Sequence, residues 1–136
     1  MRPGVRLLLL LLATSIGCGS PTDRAAVSGT VTLDGEPLAE GTISFTPSAG
    51  GHSAGATIAA GRYAIAQADG PSPGRQRVEI TAFAPTGKTI EDEDLPGRTQ
   101  EELRQMIPGR YNVDSTLEAD LAPRANQADY SLTKQP

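Results

Sequence analysis

The chain has 136 residues, a one-domain length, with 12 basic and 16 acidic side chains and a formal net charge of −4 at pH 7. That acidic balance argues against nucleic acid as a partner and against electrostatic adhesion to anionic lipid head groups, since both need clustered Lys and Arg. The single cysteine, Cys18, excludes an intramolecular disulfide.

The N-terminal segment is unlike the rest. Met1–Arg6 carries two arginines and no acid, Leu7–Ala13 is wholly apolar, and Thr14–Gly17 is small apart from Ile16. This order predicts a secretory signal peptide over residues 1–17. The apolar run of seven residues is far short of the roughly 20 that cross a bilayer as a helix. Within it, "SIGC", Ser15–Cys18, resembles the lipobox of bacterial lipoprotein signal peptides, with Ser15 where that family most often has Leu. The resemblance implies that Cys18 becomes the first mature residue, its sulfur carrying a diacylglyceryl group and its amine usually acylated. An ordinary signal peptide cut nearby would instead leave a free thiol or none. A buried methylene contributes about 0.8 kcal/mol, so one acyl chain anchors marginally and two or three anchor stably. Cleavage before Cys18 removes Arg2 and Arg6 and takes the formal charge from −4 to −6. Residues 18–26, "CGSPTDRAA", are small and polar and suit a flexible tether. The expected location is outside the cytoplasm, lipid-anchored to a bacterial membrane. Lipoproteins with Asp after the Cys tend to stay at the inner membrane; Gly19 lacks that signal and favours the outer one.

Residues 27–136 are expected to form the folded domain. Its glycines and prolines fall mostly between short alternating runs, the signature of strands and tight turns. Val27, Gly29, Val31 and Leu33 alternate with polar residues, and "DGEP", Asp34–Pro37, reads as a turn. Ile43 and Phe45 define a second strand, ended by Pro47; Ala54, Ala56 and Ile58 a third; Tyr63 and Ile65 a fourth, after the Ala60-Gly61 turn. "QADGPSPG", Gln67–Gly74, reads as a loop before Val78, Ile80 and Ala82. Leu117, Ala119 and Leu121, then Tyr130 and Leu132, complete the set. Strands with one apolar face bury it by packing two sheets together. The predicted fold is therefore all-β: a seven-stranded antiparallel sandwich of Ig-like or transthyretin-like type. Ala84–Arg110 does not alternate and is too long for an ordinary loop. In it, Thr99 with Glu102 forms a capping box, Leu103, Met106 and Ile107 share a helical face, and Pro108 stops it. One short amphipathic helix is predicted there, before the last two strands.

"VSGTVTLDGEPLAEGTISFTP" (Val27–Pro47), "AGRYAI" (Ala60–Ile65) and "PGRQRVEI" (Pro73–Ile80) resemble a carboxypeptidase regulatory-like domain of the transthyretin-like, prealbumin-type class. Gln76 stands where that family usually has Tyr, and "IPGRYN" (Ile107–Asn112) is similar to a segment of small exported lipoproteins built on this domain. The resemblance implies a seven-stranded sandwich, usually without catalysis, serving as a structural or adhesive module.

Enzymatic constellations do not assemble from these residues. Transthyretin-related hydrolases depend on several histidines and a C-terminal Y-R-G-S, and ring-cleaving dioxygenases of this fold bind iron through two His and two Tyr. This chain has one histidine, His52, in the glycine-rich "AGGHSAG", and ends in "YSLTKQP". There is no G-x-S-x-G, and three or four N or S ligands for zinc are lacking. No cofactor is expected. The best metal candidate is Glu91, Asp92, Glu93 and Asp94, an oxygen-rich run suited to calcium, although it lacks the D-x-[DN]-x-[DN]-G spacing. Arg110, Tyr111 and Asn112 read either as a packing segment or as a contact loop with Tyr and Arg as anchors. Arg75 and Arg77 point outward and balance acids such as Glu118. The expected function is that of a membrane-anchored, exported, non-catalytic module with a structural or protein-interaction role in the cell envelope, its partner a protein or polysaccharide. The alternatives are a carbohydrate or small-ligand module, with Tyr111 as the aromatic anchor, and a calcium-dependent adhesin.

Overall fold

The computed structural model describes residues 23–136; the expected signal peptide, Cys18 and the first part of the expected tether lie outside the described residues. The strands in chain order are β1 (Ala26–Leu33), β2 (Glu36–Pro37), β3 (Glu40–Pro47), β4 (Ala54–Ala59), β5 (Arg62–Ile65), β6 (Gly74–Thr81), β7 (Phe83–Glu91), β8 (Thr99–Gln105), β9 (Glu118–Leu121), β10 (Ala125–Gln127) and β11 (Tyr130–Leu132). Two single 3-10 turns, Gln67–Asp69 and Gly109–Tyr111, are the only helical elements among the described residues. No helix among them is long and apolar enough to cross a membrane. The fold is all-β, as the alternation predicts.

Nine strands form one sheet in the order β10-β1-β5-β4-β3-β6-β9, with β2 and β11 also on β1, while β7 and β8 form a separate ribbon. Strand β1 changes partners halfway. Its first half, Ala26–Ser28, lies parallel to Ala125–Gln127, and its second half, Val31–Leu33, lies parallel to Tyr130–Leu132. The remaining pairings are antiparallel. The exchange of partners along β1 goes with a curled sheet.

Period-two alternation places the core. Ile43 stands opposite Ile80 on one side and Ala56 on the other, and Phe45 opposite Val78 and Ala54. Val27, Val31, Leu33, Ile58, Tyr63, Ile65, Leu121 and Leu132 bury into the same cluster. Each such side chain contributes roughly 1.5–3 kcal/mol on leaving water. Leu38, Ala82 and Ile107 join from the connecting segments. The "DGEP" turn is a two-residue hairpin with Asp34 at φ 53° and Gly35 at φ 84°. Two consecutive positive φ values match the twist of the flanking strands, and Asp-Gly adopts them at little cost. Ala60-Gly61 joins β4 to β5 the same way.

Four expectations need correction. The segment 99–105 is strand β8, not a helix: Thr99 pairs with Glu91 and Gln105 with Phe83. An isolated helix this short is marginal in water. Here the neighbouring Phe83–Glu91, rich in β-branched and aromatic residues, satisfies the same backbone groups by strand pairing. Second, the strand set is larger than seven, because β2, β7, β8 and β10 join the seven expected strands. Third, the pairing is not purely antiparallel, as β10 and β11 run parallel to β1. Finally, residues 25 and 26 belong to the folded domain and not to the segment expected as a tether. Ala25 is fully buried, its N–H donates to Pro71 O at 2.9 Å, and Ala26 already opens β1.

Candidate functional site

"IPGRYN" leaves the ribbon and returns the chain to the sheet. Asn112 is buried. Its Nδ2 donates to the carbonyls of Ile107 and Pro108, each at 3.2 Å, and of Ile80 at 3.4 Å, while its Oδ1 accepts from the Val113 N–H at 2.8 Å. One amide thereby satisfies a turn that would otherwise bury unpaired carbonyls. Asn112 is thus an internal brace of this turn. Asn112→Ala leaves these groups without their side-chain partner and is expected to cost about 1–3 kcal/mol in urea-induced unfolding.

Arg110 and Tyr111 are half-buried and face the C-terminal segment. The Arg110 guanidinium donates to the backbone carbonyls of Thr133 and Gln135 and to the Thr133 hydroxyl. It also lies over the Tyr111 ring, 4.7 Å from the centroid, a cation–π contact that covers one face of that ring. The Tyr111 hydroxyl accepts from the Thr133 N–H at 3.2 Å and lies 3.3 Å from the Thr133 hydroxyl. These bonds, with the Arg110 charge, hold the Tyr111 phenol below its ordinary pKa. Of the two readings of this segment, the contacts are those of packing.

The carboxylates of Glu91, Asp92, Glu93 and Asp94 occupy the tip of the β7–β8 ribbon. Asp92 Oδ1 accepts from the Asp94 N–H at 3.0 Å, and the Asp92 N–H and Arg98 carbonyl close the turn at 2.9 Å. Among the described residues, no cluster of three or more His, Cys, Asp or Glu could hold a metal ion. His52 is exposed, and its backbone exchanges hydrogen bonds with Ser72. Arg75 pairs with Glu118, and both are largely exposed, so the pair contributes little. Arg77 pairs with Glu79 at 2.9 Å and also donates to the carbonyls of Asn112 and Val113.

The ribbon itself is the feature the sequence reading missed. Phe83 and Leu103 are each 58 % exposed, and Ile90, Leu95 and Met106 are exposed as well. Pairing of Phe83 with Gln105 and Pro85 with Leu103 puts Phe83, Pro85 and Leu103 on one face. Ala84 and Arg104 occupy the opposite face. The ribbon is fastened at its root by Gln105, whose Oε1 accepts from the N–H groups of Ala82 and Ile107. Beside that root is an open groove of about 540 Å³, whose lining mixes Ala84, Pro85 and Met106 with Thr86, Lys88, Arg104 and Lys134. The Leu95-Pro96-Gly97 turn, with Gly97 at φ 88°, was the available signal for a hairpin.

Two buried side-chain polar atoms among the described residues lack a partner: Gln76 Oε1 and the Tyr130 hydroxyl. Gln76 Nε2 donates to Ser72 O at 2.7 Å and Gly74 O at 3.0 Å, so this polar side chain sits fully buried on the core face of β6. Burial pushes the Tyr130 phenol up to about 12. Neither residue lines the ribbon groove.

No family model, curated protein or solved structure matches this chain.

Proposed function

We propose that this chain is an exported lipoprotein, tethered through Cys18, whose domain is a non-catalytic, transthyretin-like sandwich of the carboxypeptidase regulatory-like kind. Its role is to hold another component of the cell envelope in place. The observation that carries the reading is the β7–β8 ribbon: Phe83 and Leu103 stand in solvent while the core closes without them. Apolar side chains grouped outside a core mark a contact surface more often than a lone exposed residue does. The lipobox-like "SIGC" supports the tether, and the short, polar segment after it supports presentation of the domain away from the membrane.

The test uses intact cells. A photo-crosslinking residue at Leu103 is expected to yield discrete adducts, and the same residue at Thr46, on the exposed face of β3, is expected to yield none. In parallel, Cys18→Ser is expected to abolish fatty-acid labelling and release the chain from the membrane fraction, with no change in melting temperature. Retained lipid on the Cys18→Ser chain would overturn the tether. Turnover of ester, peptide or purine-derived substrates that is lost in Ser or Tyr variants would overturn the non-catalytic reading.

A further inference from the structure

The ribbon carries opposite charge at its two ends. Its tip holds Glu91, Asp92, Glu93 and Asp94, flanked by exposed Ile90 and Leu95, with Arg98 the one cation in the turn. Its root holds the groove lined by Lys88, Arg104 and Lys134 together with Ala84, Pro85 and Met106. Among the described residues the ion pairs are Arg75–Glu118 and Arg77–Glu79, and neither involves a charge of the ribbon. Two acids stand near the groove without an ion pair to its cations: Glu102, which accepts a hydrogen bond from the Thr86 hydroxyl, and Asp34, whose Oδ1 accepts from the Lys134 backbone N–H at 3.0 Å. A chain of negative net charge that keeps three cations without an ion pair together around a partly apolar groove leaves that groove complementary to an acidic, partly apolar, extended segment.

The ribbon's own tip is such a segment. It cannot fold back onto its own root, because the paired strands between them hold the two ends apart. A second copy can supply it. Two ribbons laid side by side and antiparallel bring each acidic tip against the other copy's basic root. The arrangement is two-fold and closed, so it makes a dimer and not a filament. It also takes Ile90, Leu95 and Met106 out of water.

We propose that the groove of Lys88, Arg104 and Lys134 is the receptor for the Glu91–Asp94 tip of a second copy of this chain. The inference rests on the reading of the ribbon as a contact surface, and it is independent of the lipid tether.

The experiment measures the mass of the intact chain by sedimentation in density-matched detergent, for three proteins. These are the natural chain, a root variant (Lys88→Glu with Arg104→Glu) and a tip variant (Glu93→Lys with Asp94→Lys). All four positions are exposed, and circular dichroism melts are expected to coincide. The natural chain is expected to be a dimer that dissociates as salt is raised, since the contacts are rim charges. Each variant is expected to dimerise at least about tenfold more weakly, because like charges now meet. An equimolar mixture of the two variants is expected to restore the dimer, as each acidic end again meets a basic one. A monomeric natural chain overturns the proposal, as does a dimer that survives both reversals or a mixture that stays monomeric. A monomeric chain that still yields Leu103 adducts with a different protein in cells overturns this inference alone and leaves the interaction reading standing.

Discussion

Phe45→Ala is expected to destabilise the domain by about 3–5 kcal/mol, measured as a shift in the urea midpoint at unchanged slope. Phe45 is 0 % exposed and packs against Tyr63, with ring centroids 6.0 Å apart and planes tilted by 37°. Its neighbours across β4 and β6 are Ala54 and Val78, both too small to reach into the space the ring leaves. The cavity therefore stays open and its lining loses contacts on one side. A domain of this size has a total stability of about 5–15 kcal/mol, so the variant removes a large part of it. Phe83→Ala is the internal control. That ring is 58 % exposed, and its removal is expected to leave the midpoint almost unmoved.

The second large effect is expected at Gly29. An alanine methyl there would lie 1.8 Å from Ala128 O and 2.9 Å from Asp129 Oδ1. The first obstacle is backbone, so no rotamer change relieves it. The segment carrying Ala128 and Asp129 must move away from β1. That strains the bond from the Tyr63 hydroxyl to Ala128 O (2.6 Å), from Ala128 N–H to Ser28 O (2.9 Å) and from Thr30 N–H to Asp129 Oδ1 (2.8 Å). The Thr30 amide is also what holds the Asp129 carboxylate below its usual pKa. Overpacking costs about 1–3 kcal/mol and each lost hydrogen bond about 0.5–1.5, so Gly29→Ala is expected to cost about 3–5 kcal/mol in the same urea experiment. Gly35→Ala offers the contrast. At φ 84° with no heavy atom within 4 Å, it meets only backbone strain of about 1–2 kcal/mol. Equal losses at the two glycines would mean that β1 and the C-terminal segment do not approach as described.

The sheet was legible because its signals are local. Val27 to Leu33, Ile43 with Phe45, and Val78 with Ile80 alternate strictly, and the apolar member of each pair is the buried one. The turn at Asp34-Gly35 was readable from two residues that tolerate positive φ, and the turn at Ala60-Gly61 from its glycine alone, since Ala60 takes φ 49° against its preference. Three things were not. The β8 strand carries a helix-like spacing of Leu103, Met106 and Ile107, and only its pairing with β7 decides between the two periods. The buried Gln76 reads as polar on the face of β6 that otherwise carries Val78 and Ile80, although its amide turns back to Ser72 and Gly74. The parallel pairing of β1 with β10 and β11 joins residues about 100 positions apart, and no local pattern encodes it. At the candidate site, the residue types of "IPGRYN" were identified, but their bonds to Thr133, Gln135 and Ile80 depend on the tertiary fold. The basic groove draws Lys88, Arg104 and Lys134 from three separate segments, so nothing in the sequence sets them side by side.

The two parallel pairings of β1 also impose an order on assembly. Val27 waits for Asn126 and Leu33 waits for Leu132, so the first strand among the described residues is completed by segments about 100 positions later. Until the C-terminal segment exists, β1 has only its antiparallel partners, and the Gly29 cleft has nothing to receive. Through the synthesis of the segments between them, β1 therefore stands without its two parallel partners, with its backbone groups on that side open to mispairing.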